Sequence, residues 1–164
     1  RNYFFSIAIA VLLMASCASE PHQDWKPLSL LEYDLPITIM APDSAVVKKS
    51  NFGSIIKDVT IREGENYFVQ IYAGQASTTD KDAVKAELLK DVKDKQYFSK
   101  IIREEPNGFI YETKVDSNYI DYGFRYVKIQ GNNEYIFQTG LIGPFTLEAV
   151  ENMYEAVANP ISKK

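Results

Sequence analysis

The stretch Ile101-Ile102-Arg103-Glu104-Glu105-Pro106-Asn107-Gly108-Phe109-Ile110-Tyr111-Glu112-Thr113-Lys114-Val115 decides the fold. Two β-prone segments, Ile101 to Glu105 and Phe109 to Val115, flank Pro106-Asn107-Gly108, and Asn-Gly is a strong hairpin signal. The pattern recurs on both sides. Ile55 to Glu63 and Tyr67 to Tyr72 flank Gly64-Glu65-Asn66, and Tyr122 to Gln130 and Glu134 to Thr139 flank Gly131-Asn132-Asn133. Successive hairpins imply a mostly antiparallel sheet. A further short strand, Leu35 to Met40, is closed by Ala41-Pro42-Asp43.

Two helices complete the domain. The first is expected from about Asp80 to Tyr97, capped by Thr78 or Thr79, with Val84, Leu88, Leu89 and Val92 as its apolar stripe. The second starts after Pro144-Phe145 with Thr146 as cap and ends near Asn159-Pro160. Its stripe is Val150, Met153, Tyr154 and Val157. The expected fold class is α+β, a mostly antiparallel sheet of hairpins with two main helices packed on it, forming one domain over residues 29–160. Over residues 30–158 this element order resembles the PsbP/Mog1-like fold, an α/β/α sandwich that recurs in bacterial lipoproteins. That resemblance implies partner binding or assembly, although a fold by itself does not fix function.

The N-terminal region is of another kind. Arg1 precedes an eleven-residue, largely apolar run from Phe4 to Met14, and Ala15 and Ser16 lead into Cys17. This is the layout of a secretory signal, and the run is too short to span a bilayer, which takes about 20 apolar residues. Met14-Ala15-Ser16-Cys17 resembles a bacterial lipobox, with Met14 where that pattern prefers leucine. The resemblance implies a signal peptide over residues 1–16 and acyl chains on Cys17. The alternative is ordinary cleavage that releases a secreted protein. One acyl chain holds a protein marginally and two or more hold it stably, so a lipidated chain stays on its membrane. Ala18 after the cysteine favours the outer over the inner membrane of the cell envelope. Residues 17–28 read as the lipidated cysteine and a polar tether, with Trp25 packing either on the domain or at the membrane interface.

Composition narrows the chemistry. Of 18 basic residues Arg1 goes with the leader, leaving 17 against 22 acidic ones, or −5. That balance argues against nucleic acid as a partner. Lipidation consumes the one cysteine, which removes disulfides, a thiolate nucleophile and cysteine metal sites. The one histidine, His22, lies in the tether, where neither a catalytic triad nor a zinc site finds fixed geometry. Ser54-Ile55-Ile56-Lys57 matches S-x-x-K, but Ser54 leads into a strand rather than a helix and no S-D-N follows. Asp116 to Asp121 lacks the glycine and glutamate of an EF-hand loop, which places Asp121 and Val127 at those positions. Glu104 and Glu105 are adjacent on a strand and point to opposite faces. No catalytic residue, metal site or cofactor is therefore expected.

The aromatic residues are the richest remaining feature. Tyr122, Phe124 and Tyr126 share one strand face, and Tyr135 and Phe137 share a face of the hairpin partner, while Arg125 points away from Tyr126. Cross-strand aromatic pairs stabilise a sheet in their own right. Exposed instead, Tyr122, Phe124, Tyr126 and Tyr135 would form a surface for a partner or ligand. The first expectation is a non-catalytic, membrane-tethered binding or assembly module of the bacterial cell envelope, with an envelope protein as partner. The alternative is a carrier of a lipid or other apolar small molecule, which requires an enclosed apolar cavity of several hundred Å3. An enzyme ranks third.

Overall fold

The computed structural model describes residues 25–53 and 55–160. Residues 1–16, expected as a signal peptide, and Cys17, His22 and Ser54 lie outside the described residues. Strands β1 (Trp25–Ser29) and β2 (Thr38–Pro42) form an antiparallel ribbon, joined through a short 3-10 turn at Leu31–Tyr33. Strands β3 (Val46–Phe52), β4 (Ile56–Glu63), β5 (Tyr67–Gln75), β6 (Phe98–Glu105), β7 (Gly108–Lys114), β8 (Ile120–Gln130) and β9 (Asn133–Thr139) build the main sheet. Its order is β3-β4-β5-β9-β8-β7-β6, and every neighbouring pair is antiparallel. Helix α1 (Lys81–Lys93) lies between β5 and β6 in the chain, and α2 (Leu147–Ala158) follows β9. The molecule is thus α+β, as the hairpin pattern implies.

Alternation along the strands assigns the faces. Tyr126, Phe137, Ile71 and Val59 stand in one register row across β8, β9, β5 and β4. Ile110 opposite Phe124 extends that face onto β7. Helix α2 rests on it, burying Val150, Met153, Tyr154 and Val157, and Ile39 of β2 with Leu30, Leu35 and Ile37 of the β1–β2 connection add to it. Phe109 and Tyr111, the neighbours of Ile110, point the other way and meet Val92 of α1, with Leu88 and Leu89 beside it. The two helices therefore cover opposite faces of the sheet.

Local chemistry explains most boundaries. In the β8–β9 hairpin Gln130 pairs with Asn133, and Gly131 supplies a φ of +60°, a conformation that glycine enters without penalty. Thr146 caps α2 by accepting from the Ala149 N–H at 3.2 Å. Helix α1 differs from expectation. Its cap is Asp80, whose carboxylate accepts from the Ala83 N–H at 3.1 Å, while Thr78 accepts from the N–H of Asp80. It also ends at Lys93, short of Tyr97: the Lys95 N–H turns to the Val92 carbonyl, three residues back, instead of continuing the helical pattern, and the Tyr97 carbonyl accepts from the Lys114 N–H at the end of β7.

Two strands escape the sequence reading. Residues 25–28, expected in the tether, belong to β1, and Trp25 packs edge-on against Tyr67 with ring centroids 4.9 Å apart. Tyr67 also donates its hydroxyl to the Met40 carbonyl at 2.7 Å, tying ribbon to sheet. The other is β3, an edge strand carrying Lys48 and Lys49, charges of the kind that protect an open edge from pairing with another chain.

Two predictions follow from this core. Met153→Ala, which truncates a fully buried side chain of α2, is expected to cost about 2–5 kcal/mol in urea unfolding. Alkaline pH should also destabilise the fold. Burial raises the Tyr67 hydroxyl above its ordinary 10.0, and burial with the Glu105 charge raises that of Tyr154. Above pH 10 the unfolded chain loses phenolic protons that the folded chain keeps, so stability, complete below that pH, falls as pH rises further. The expected slope is about 1.4 kcal/mol per pH unit for each such tyrosine. Urea midpoints between pH 8 and 11.5 measure it, and Tyr67→Phe should flatten the fall.

Candidate functional site

Strand β9 stops at Thr139, so β8 from Ile120 to Phe124 pairs with β7 alone. The place of the missing neighbour is taken by the loop of residues 140–146. Three hydrogen bonds hold that loop: Gly140 N–H to the Phe68 carbonyl at 2.7 Å, Tyr122 N–H to the Phe145 carbonyl at 3.3 Å, and Phe145 N–H to the Asp121 carboxylate at 2.7 Å. Between loop and sheet opens a cleft of about 220 Å3, lined by residues that include Lys95, Tyr111, Arg125, Gln138, Thr139 and Leu141.

Its charge is positive. The Arg125 guanidinium donates to the Phe124 carbonyl at 2.9 Å and lies 5.5 Å from the centre of the Tyr111 ring. The Lys95 ammonium is 6.0 Å from the same ring. Tyr111 can lie flat here because position 123 is glycine: a Cβ at Gly123 would fall 2.6 Å from the ring. Neither cation has an ion-pair partner among the described residues. Loss of hydration, followed by the charge of Arg125, holds the Lys95 ammonium below its usual value, and Asp91 opposes that shift. Asp121, a carboxylate in the lining, is occupied by the Phe145 N–H.

From the cleft a polar chain runs across the back of the sheet. Gln138 stands opposite Arg125 and donates to the Gln70 side-chain oxygen at 3.1 Å. Gln70 in turn donates to both Asp58 oxygens, at 3.0 and 3.1 Å. All three side chains are buried, and mutual hydrogen bonding is what makes their burial tolerable.

The rim of this end is apolar. Leu141 is 81% exposed and Ile142 62%. Tyr97, Val115 and Tyr119 on the adjoining loops and Ile120 at the start of β8 are exposed, and these loops are joined by the Lys114–Tyr97 and Val115–Tyr119 backbone bonds. A second cleft, of about 260 Å3, lies at the other end of β8 and includes Lys81, Tyr126 and Val157. Its Lys81 ammonium is engaged by the Pro106 carbonyl and the Asn107 side chain.

The aromatic row flagged by the sequence is core rather than surface. Phe124 is fully buried against Tyr154, and Tyr135, opposite Lys128 further along the sheet, is buried in the same core. Tyr126 is half-buried, its ring edge-on to Phe137 and Tyr154. Of the four candidates only Tyr122 borders the cleft, with its hydroxyl bonded to Glu112. The other polar candidates take separate structural partners. Glu104 pairs with Lys85, Glu105 pairs with Arg103 and accepts from Tyr154, and Asp116 accepts from the N–H groups of Asn118 and Tyr119. Among the described residues no cluster of three His, Cys, Asp or Glu side chains could hold a metal ion. Sequence reasoning missed Lys95 and Arg125 as a pair; the usable signal was Arg125 pointing away from the aromatic face.

No family model matches the chain, and no curated protein or solved structure matches it closely enough to lend a function.

The polar chain yields a stability prediction. Gln70→Leu keeps the volume but strips Asp58 of its two hydrogen bonds, at an expected cost of about 1–3 kcal/mol. Asp58→Asn retains an acceptor for Gln70 and should cost less in the same urea titration.

Proposed function

We propose that this chain is a non-catalytic binding or assembly module of the bacterial cell envelope, held on the membrane by acyl chains on Cys17. Its docking surface is the end of the sheet around the Lys95–Arg125 cleft, and its partner is an envelope protein. The observation that carries this reading is the coincidence, at one end of the sheet, of exposed Leu141 and Ile142 with two cations that lack ion-pair partners among the described residues. Exposed apolar residues grouped on one part of a surface mark interaction sites, and cationic groups beside them add orientation and specificity. The PsbP/Mog1-like order of elements supports the same reading. A carrier of an apolar molecule is the weaker proposal, since both clefts described are open to solvent and bordered by lysine.

A photoreactive residue placed at Leu141 in living cells should give one discrete cross-linked polypeptide. The same residue at Asn132, in the hairpin at the opposite end, should give none. Leu141→Asp combined with Ile142→Asp should reduce capture by a second probe at Tyr119 about tenfold or more, as loss of an interface anchor does. Cys17→Ser should move the chain into the soluble fraction. Equal labelling at residues 141 and 132, or none at either, would sink the docking reading.

A further inference from the structure

We propose that the Lys95–Arg125 cleft receives the C-terminal carboxylate of a partner polypeptide that ends in an apolar residue, an inference that rests on the docking reading above. Two cations share the Tyr111 ring, at 6.0 and 5.5 Å from its centre, and neither has an ion-pair partner among the described residues. Like charges brought together in a partly desolvated recess disfavour the folded state, as the Arg125 charge acting on Lys95 shows. An anion between them reverses that sign, and a guanidinium offers a carboxylate paired N–H donors.

Size selects the kind of anion. A cleft of 220 Å3 is smaller than the roughly 300–1,000 Å3 of ordinary small-molecule sites. It accommodates a terminal group and one side chain, while the rest of the ligand lies outside. A C-terminal apolar residue carries its charge and its apolar group on the same carbon, and the cleft offers both counterparts. Lys95, Arg125 and Gln138 line the polar part, and Leu141 and Phe145 the apolar part. Nucleic acid and other extended polyanions are poor occupants, because the chain as a whole carries a net charge of −4 and repels them beyond this recess.

The test uses the full chain in detergent, titrated by NMR with N-acetyl-leucine, N-acetyl-leucinamide, N-acetyl-aspartyl-leucinamide and inorganic phosphate. N-acetyl-leucine should shift the resonances of Arg125, Gln138 and Thr139, and N-acetyl-leucinamide should bind at least tenfold more weakly. Lys95→Gln and Arg125→Gln should each weaken N-acetyl-leucine at least fivefold. Raising salt should weaken it as well, since the attraction is between charges. Arg125 also covers Tyr111, so the exposed Lys95→Gln is the decisive variant and Arg125→Lys, which keeps the charge, should retain part of the binding. Equal binding of the amide, or no binding of any probe, overturns the proposal. Preference for the aspartyl probe or for phosphate also overturns it, in favour of an internal acidic residue or a phosphate group. Persistence of the Leu141 cross-link in Lys95→Gln and Arg125→Gln cells would remove the carboxylate and leave the docking surface standing.

Discussion

Strict alternation along β8 is the constraint on which the remaining structure depends. Phe124 and Tyr126 enter the core beneath α2, which leaves Gly123, Arg125 and Val127 for the opposite face. A one-residue slip would bury Arg125 among Ile110, Phe137 and Tyr154 and send Phe124 to the other side. None of those three side chains carries the negative charge that a buried guanidinium needs. The register that assembles the core is therefore the register that delivers a cation to the cleft, and the two outcomes cannot be separated by moving the strand.

Elements that solve their own hydrogen bonding locally were legible in the sequence. The hairpins turn on glycine or asparagine, Thr146 caps α2, and the α2 stripe reads at helical spacing and is buried. Elements defined by distant partners were not. Strand β1 has little periodicity of its own and exists because Leu28 and Trp25 find β2 and Tyr67. Strand β3 carries lysines at an edge, where half its backbone groups face solvent, so its sequence resembles a loop. The end of α1 was overshot because Tyr97, placed in the helix by the sequence, is instead held to Lys114, far along the chain.

The cleft was hidden for a related reason. It arises where β9 is shorter than β8, a difference in length between two strands that no local pattern records. Lys95 and Arg125 belong to different elements, one just past a helix and one in mid-strand. They meet only because α1 lies over the face from which Gly123 and Tyr111 leave room. The aromatic row was legible as a row, yet whether it faced solvent depended on α2 folding back over it.

Trp25 gives the molecule a direction. It packs edge-on against Tyr67, the neighbour of Phe68, whose carbonyl accepts the N–H of Gly140 at the start of the cleft loop. The chain thus enters the domain beside the apolar rim rather than at the distant β8–β9 hairpin. Eight residue steps separate Trp25 from Cys17, at most roughly 29 Å of extended chain. On the anchor proposed at Cys17, that leash keeps the cleft within a few nanometres of the lipid surface. Whatever enters it must then present its chain end close to the bilayer, as a polypeptide terminating just outside the membrane does.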